Sequence, residues 1–228
     1  MPGLDVNMTT SSHQFPSRTK REAAGAGYDS KHDVHTCGII EADDLTIESN
    51  RRADAVRYEA VYPDWFRDAI GSLNVDPNDF LFVDIGAGKG RALFLAQDMG
   101  FRRIIGVEFA KELIAICQQN IRCRTFHGVE RPPLEIVHMD AVLYPLPKEP
   151  MVLYMYNPFG KKTMCNMARC IRDSLCELPR PLKIVYVTPR WDTVIMSGVP
   201  RIRRVAKTAE FASYEWTEAL EASNFFAA

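Results

Sequence analysis

The chain has 228 residues, of which 46% are hydrophobic and 25% charged, and its formal net charge is −1. This length and composition suit one or two globular domains with a buried core, and they exclude collagen, coiled coil and wholesale disorder. No run approaches eighteen apolar residues, which excludes a membrane-spanning helix, and the near-neutral total removes the simplest argument for nucleic acid, a globally basic protein.

The neutral total conceals an asymmetry. Residues 161–207 hold 11 basic and 3 acidic side chains, net +8, and acidic flanks offset them. The six cysteines, at 37, 117, 123, 165, 170 and 176, form no Cys-x-x-Cys pair and have no histidine at a zinc-like offset. With no apolar segment of a secretory signal in the first thirty residues, the expectation is reduced thiols in a cytoplasmic protein that binds no metal.

Taken along the chain, residues 1–50 mix Ser, Thr, Gly and Pro with scattered charge and show no sustained period, so they read as a flexible tail ahead of one domain at 51–228. Pro63 suits the first turn of a helix carrying Phe66, Ile70 and Leu73. A turn at Asp76-Pro77-Asn78 precedes an apolar strand at 80–84, then a glycine cluster and a helix that holds Ala92 to Ala96 and closes at Gly100. A strand at 104–107 and a helix at 111–121 follow, then strands at 134–137 and 151–155, a helix at 161–177 and a strand at 182–187.

Strand and helix alternating at these lengths predict an α/β fold, a parallel sheet with helices on both faces. The segments at 202–208 and 211–216 lie too close for a crossover, so they are expected as an antiparallel hairpin closing the sheet.

The sharpest motif is Val83-Asp84-Ile85-Gly86-Ala87-Gly88-Lys89-Gly90-Arg91, between the first strand of the sheet and its helix. In open α/β sheets ligands sit beyond the carboxyl ends of the strands, where glycines let backbone amides approach them. The pattern fails as a P-loop, because Lys89 is followed by glycine. It also fails as a dinucleotide fingerprint, because Arg91 stands where the last glycine belongs. Asp84 at the strand end repels a pyrophosphate but attracts an ammonium or sulfonium group. Glu108, twenty residues past the loop, has the spacing of an acid that accepts ribose hydroxyls. At the third strand end, Asp140 is placed to meet an exocyclic amine of a purine whose face Met139 covers.

Cationic end, ribose and adenine in chain order are the layout of S-adenosylmethionine. Over residues 58–220 the chain resembles the class I S-adenosylmethionine-dependent methyltransferases, with residues 83–90 matching their first motif, Glu108 the acid after their second strand and Asp140 the acid after their third. The resemblance implies a Rossmann-like, seven-stranded, mostly parallel sheet whose last strand is antiparallel. It implies cofactor contacts from Asp84, Gly86, Ala87, Gly88, Gly90, Glu108, Phe109, Met139 and Asp140.

It also implies that Asn157, Pro158 and Phe159 meet the methyl acceptor. Tyr156-Asn157-Pro158-Phe159-Gly160 looks like a shortened Asn-Pro-Pro-aromatic motif of amino-directed methyltransferases, which suggests a nitrogen nucleophile. Tyr58, Glu59 and Tyr62 match a segment that lids the cofactor in other branches. The acceptor is left open between small molecule, protein and nucleic acid, with no membrane partner.

No dedicated base stands out; of the histidines expected within the fold, His127 and His138, the latter reads as structural. A cofactor-binding module without catalysis and a nicotinamide-dependent oxidoreductase are the alternatives, the latter disfavoured by Asp84 and Arg91. Lys161 and Lys162 directly after the acceptor motif, with Arg201 and Arg203 on one strand face, raise the expectation of a basic border to the acceptor mouth.

Overall fold

The computed structural model describes residues 17–124 and 131–217. The chain begins with α1 (Arg18–His32), capped by the Ser17 side chain at the amide of Lys20 and ended by Asp33 in the left-handed region. Two-residue strands β1 (Ile39–Ile40) and β2 (Tyr58–Glu59) then pair antiparallel. Residues 18–50 are therefore not the tail that the sequence suggests. They carry a helix and a strand, and Tyr28, Val34, Leu45 and Ile47 are buried. The polar composition misleads because the segment buries a few widely spaced apolar side chains rather than a periodic face. The rest of the proposed tail, residues 1–16, lies outside the described residues.

The main sheet follows. After α2 (Pro63–Gly71) come β3 (Leu81–Ile85), α3 (Arg91–Asp98), β4 (Arg103–Glu108), α4 (Lys111–Cys123), β5 (Leu134–His138) and β6 (Met151–Tyr156). Then come α5 (Lys161–Glu177), β7 (Leu182–Val187), α6 (Asp192–Gly198), β8 (Ile202–Lys207) and β9 (Phe211–Trp216). The strand order is β5-β4-β3-β6-β7-β9-β8. Five strands run parallel, and β9 inserts between β7 and β8 antiparallel to both. The expected seven-stranded, mostly parallel sheet with its antiparallel hairpin strand is thus the observed one. The short crossover helix α6 is an addition.

Alternation on β3 explains the two cores. Leu81, Val83 and Ile85 face a layer formed with α5 and α6 through Met164, Met167, Ile171 and Ile195. Phe82 faces the opposite layer, built with Phe66 of α2, Phe94 of α3, Tyr28 of α1 and Tyr154 of β6. All five residues of β3 are buried, as a central strand covered on both faces requires. The edge strand β5 is half exposed. Order reverses between β3 and β6, so a crevice opens beyond their carboxyl ends.

Candidate active site

Residues from β3, β4, β6 and the N-terminal segment enclose a cleft of ≈ 640 Å³ at this crevice. A second recess of ≈ 380 Å³ shares Gly86, Glu108, Phe109 and Pro158 with it and runs toward Met139, Asp140 and Ala141 after β5. A larger open groove of ≈ 2680 Å³ meets the cleft at Val56, Arg57, Glu59, Tyr156 and Asn157. The recess, cleft and groove form a path along the strand ends.

The glycine loop shapes the floor. Gly86 has φ +83°, and a Cβ there would lie 2.9 Å from Cβ of Pro158. The loop therefore needs glycine both for its conformation and for contact with the strand-end proline. Gly88 is covered by the ring of Tyr58, which a Cβ would strike at 2.3 Å. Gly90 faces Cys117 and Phe94, so it serves close packing of α3 against α4. Ala87 lines the cleft beside Gly86.

Asp84 is 3% exposed, lines the cleft and accepts no hydrogen bond from the described residues. Burial, and secondarily the charge of Glu108, raises its carboxyl well above the usual carboxylate range. Its register partner on β6, Tyr154, lines the same cleft, and its buried hydroxyl has no hydrogen-bond partner. Two buried polar groups without partners at one end of a cleft create a demand for a hydrogen-bonding ligand.

Glu108 is satisfied differently. One carboxylate oxygen accepts from the amides of Phe109 at 2.8 Å and Ala110 at 2.9 Å, and the other from Gly88 at 2.9 Å. Burial raises its carboxyl, and these amides oppose that shift. Its first observed task is to hold the glycine loop against the start of α4, leaving acceptor capacity on the oxygen bound only by Gly88.

Asp140 is also occupied. Its Oδ2 accepts from Ser49 at 2.7 Å and from Arg51 at 2.6 Å, and its Oδ1 from the amide of Val142 at 3.0 Å. Burial pushes its carboxyl up, but the bonds from Ser49, Val142 and Arg51 outweigh this and leave it below the ordinary value. Arg51 thus shares the recess with Met139 and Phe159. Sequence reading missed this contact, since Arg51 lies 89 residues from Asp140 in a stretch that reads as the start of the domain.

The N-terminal segment is fastened at three further points. Arg91, 3% exposed, donates to Thr36 Oγ1, to Asp29 at 2.9 Å and to the Gly25 carbonyl at 3.3 Å. Lys89 donates to the Cys37 carbonyl at 2.7 Å, and Tyr58 to the Thr36 carbonyl at 2.6 Å. Asp54 accepts from the amide of Thr163 at 2.7 Å through its side chain and from Gly160 at 2.9 Å through its backbone. The residue that spoils a dinucleotide fingerprint, Arg91, is therefore the anchor of α1.

The motif expected to meet the acceptor is split by the fold. Asn157, at φ +39°, lines both cleft and groove, and Pro158 lines the cleft and the recess. Phe159 is 8% exposed, bridges Ala55 and belongs to the core, so it faces the recess with Met139 rather than the groove. Tyr62 and Glu59 do line the groove, with Glu59 held by Arg21 and Arg57. His138 is exposed and lies 3.2 Å from the carbonyl of Phe109; His127 lies outside the described residues.

Four of the eleven basic residues of the block are paired at the sheet edge. Lys183 and Arg203 pair with Glu215, and Arg204 and Lys207 with Asp192. Arg190 does line the groove, while Lys161 and Lys162 stand exposed on the first turn of α5.

A family model described as a methyltransferase domain matches residues 83–157, the span from the glycine loop to Asn157. No curated protein matches the chain. Among solved structures, a precorrin-6y C5,15-methyltransferase from Geobacter metallireducens is 12% identical with a TM-score of 0.51, covering 80% of this chain and 100% of that one. An RNA methyltransferase from Salinibacter ruber, solved with S-adenosyl-L-homocysteine, is 18% identical with a TM-score of 0.45, covering 70% of this chain and 93% of that one. The magnesium protoporphyrin IX methyltransferase from Synechocystis PCC 6803, with bound SAM, is 12% identical with a TM-score of 0.45, over 68% and 77% of the two chains. The chain thus carries the methyltransferase-domain signature at its strand ends, on the Rossmann-like sheet of the class I methyltransferases.

Proposed function

We propose that this protein is an S-adenosylmethionine-dependent methyltransferase whose working unit runs from α1 to β9. The observation that carries the reading is the unpartnered, buried Asp84 carboxylate beside the unpartnered Tyr154 hydroxyl, at the end of a cleft floored by the glycine loop. A ligand with an ammonium group donates to both, whereas a pyrophosphate can accept from Tyr154 but is repelled by the Asp84 carboxylate. Glu108 keeps an oxygen for a ribose hydroxyl. Met139, Ala141 and Phe159 offer apolar walls to a base, while Arg51 and Ser49 hold Asp140 at its edge. The residues present therefore fit S-adenosylmethionine.

When bound, that cofactor supplies an activated methyl group on sulfur. The chain's own task is then alignment and exclusion of water. Tyr58, lying over Gly88, covers the cleft, Arg51, Asp54 and Ala55 line the adjoining recess, and Tyr156 with Asn157 borders the opening to the acceptor. Six unpaired cysteines support a reducing, cytoplasmic setting. Among the described residues no helix is long and apolar enough to cross a membrane.

A thermal-shift comparison of S-adenosylhomocysteine with NAD tests the proposal. Saturating S-adenosylhomocysteine is expected to raise the transition by several degrees, and NAD to leave it in place. No shift with the former would sink the reading.

A further inference from the structure

We infer that the methyl acceptor presents a carboxylate, selected by Asn157 in an orientation that Tyr186 imposes; the inference rests on the methyltransferase reading above. The amide of Trp191 donates to the Tyr186 hydroxyl at 3.3 Å, and that hydroxyl donates to Asn157 Oδ1 at 3.3 Å. Tyr186 is fully buried on β7. With Trp191 supplying its donor, the tyrosine proton is directed to Asn157, and the carboxamide oxygen turns inward. The amide nitrogen is the end left without a protein partner, at a residue that lines both cleft and groove. A carboxamide so held donates to the acceptor molecule and does not accept from it.

The charges around this point agree. Glu59 lies between Arg21 at 3.8 Å and Arg57 at 3.4 Å, and Arg57 also meets Glu41 at 3.9 Å, so this cluster at the groove mouth is balanced in charge. Arg190, exposed in the same groove, has no carboxylate partner among the described residues. A protonated amine meets donors and positive charge here, whereas a carboxylate meets complementary groups.

The chemistry also suits the lining, in which neither cleft nor groove includes a histidine or lysine. An amine or hydroxyl must surrender a proton to a base, and here Glu59 and Glu41 are engaged by arginines while Asp84 is taken by the ammonium group of the proposed cofactor. A carboxylate is ionised at neutral pH. Its oxygen forms the bond to the methyl carbon as the carbon–sulfur bond of the donor breaks, and that electron pair stays on sulfur. Carboxylate and sulfonium charges are discharged together, giving a methyl ester and a thioether, and no proton moves. The nitrogen nucleophile suggested by the Asn-Pro motif is thereby set aside.

Two matched probes test this on the full chain saturated with S-adenosylhomocysteine: benzoate and benzylamine, titrated by ligand-observed NMR. Benzoate is expected to bind at least about tenfold more tightly, the usual effect of one hydrogen bond to a charged group. Asn157→Asp, which keeps the oxygen facing Tyr186 but replaces the donor with an anion, is expected to reverse that order. Tyr186→Phe, which frees the carboxamide to turn over, is expected to bring the ratio toward one while S-adenosylhomocysteine still binds; a merely structural tyrosine would leave the ratio alone. Tighter or equal binding of benzylamine, or binding of neither probe, overturns the inference. In parallel, radiolabelled methyl transferred into a host extract is expected to be released as volatile methanol by alkali, and alkali-stable label overturns it too. Failure to bind S-adenosylhomocysteine at all overturns the methyltransferase reading itself and is seen separately in the same titration.

Discussion

Replacing Asp84 by Asn isolates the group on which the proposed cofactor site depends. The substitution keeps size and shape but removes a buried charge that no protein group compensates. In the ligand-free protein the variant is expected to be more stable at neutral pH by about 1 kcal/mol or more, because Asn stays unsatisfied but has no charge to desolvate and no proton to take up, and each pK unit of such a shift is about 1.4 kcal/mol. The pH dependence gives the sign. Burial, then Glu108, raises the folded-state pKa of Asp84, so the folded chain binds more protons than the unfolded chain between the two values. The associated stability is full below the unfolded value of about 3.9 and is lost as pH rises toward the folded value, at up to about 1.4 kcal/mol per pH unit. Asp84→Asn should flatten that descent.

Ligand binding should move in the opposite direction. At a concentration of 100 Kd, S-adenosylhomocysteine stabilises the parent by about 2.7 kcal/mol, or about 5–11 °C for a chain of this size. Loss of a charge-assisted contact weakens binding by about ten- to a hundredfold. At the hundredfold limit and the same ligand concentration, only about 0.4 kcal/mol remains, a shift of about 1–2 °C. Differential scanning fluorimetry across pH, with and without ligand, measures both effects. A variant that is less stable without ligand, or whose ligand shift is undiminished, would falsify the assignment of Asp84 as the cation-seeking group.

Three further outcomes are expected. Arg91→Ala removes the partner of Asp29 from a site where the two side chains are 3% and 12% exposed. It should cost about 3 kcal/mol or more and speed amide exchange over α1, so unchanged exchange there would show that α1 is held by other contacts. Gly86→Ala places a side chain at φ +83° and against Pro158, so denaturant unfolding should show a loss of about 1–2 kcal/mol. Asp54→Ala and Gly160→Ala should each cost about 1 kcal/mol, the first by uncapping the amide of Thr163 and the second by evicting the Asp54 carboxylate. Because both remove the same contact, their double variant should cost clearly less than the sum, and strict additivity in a double-mutant cycle would count against the cap.

The amino-acid sequence by itself determined the sheet and the glycine loop. Buried parallel strands need apolar runs such as Leu81 to Ile85, and helices between them need periodic faces such as Leu113, Ile114 and Cys117, so local pattern and tertiary role coincide. The short gap before Phe211 likewise leaves only an antiparallel return. Asp84 and Glu108 were legible because a motif fixes them to strand ends. The roles of Arg51, Asp54 and Tyr186 were not, since each acts on a residue distant in the chain: Asp140, Thr163 and Asn157. No local pattern distinguishes an arginine reaching a buried carboxylate from one in solvent. The N-terminal segment shows this most clearly: its polar composition reads as a tail, yet its Asp29 carboxylate pairs with Arg91 and its Cys37 carbonyl accepts from Lys89, which fastens it to the glycine loop and α3. Only the tertiary structure, by bringing those partners within hydrogen-bond distance, decided that the N-terminal segment packs on the glycine loop and which end of the Asn157 side chain Tyr186 holds.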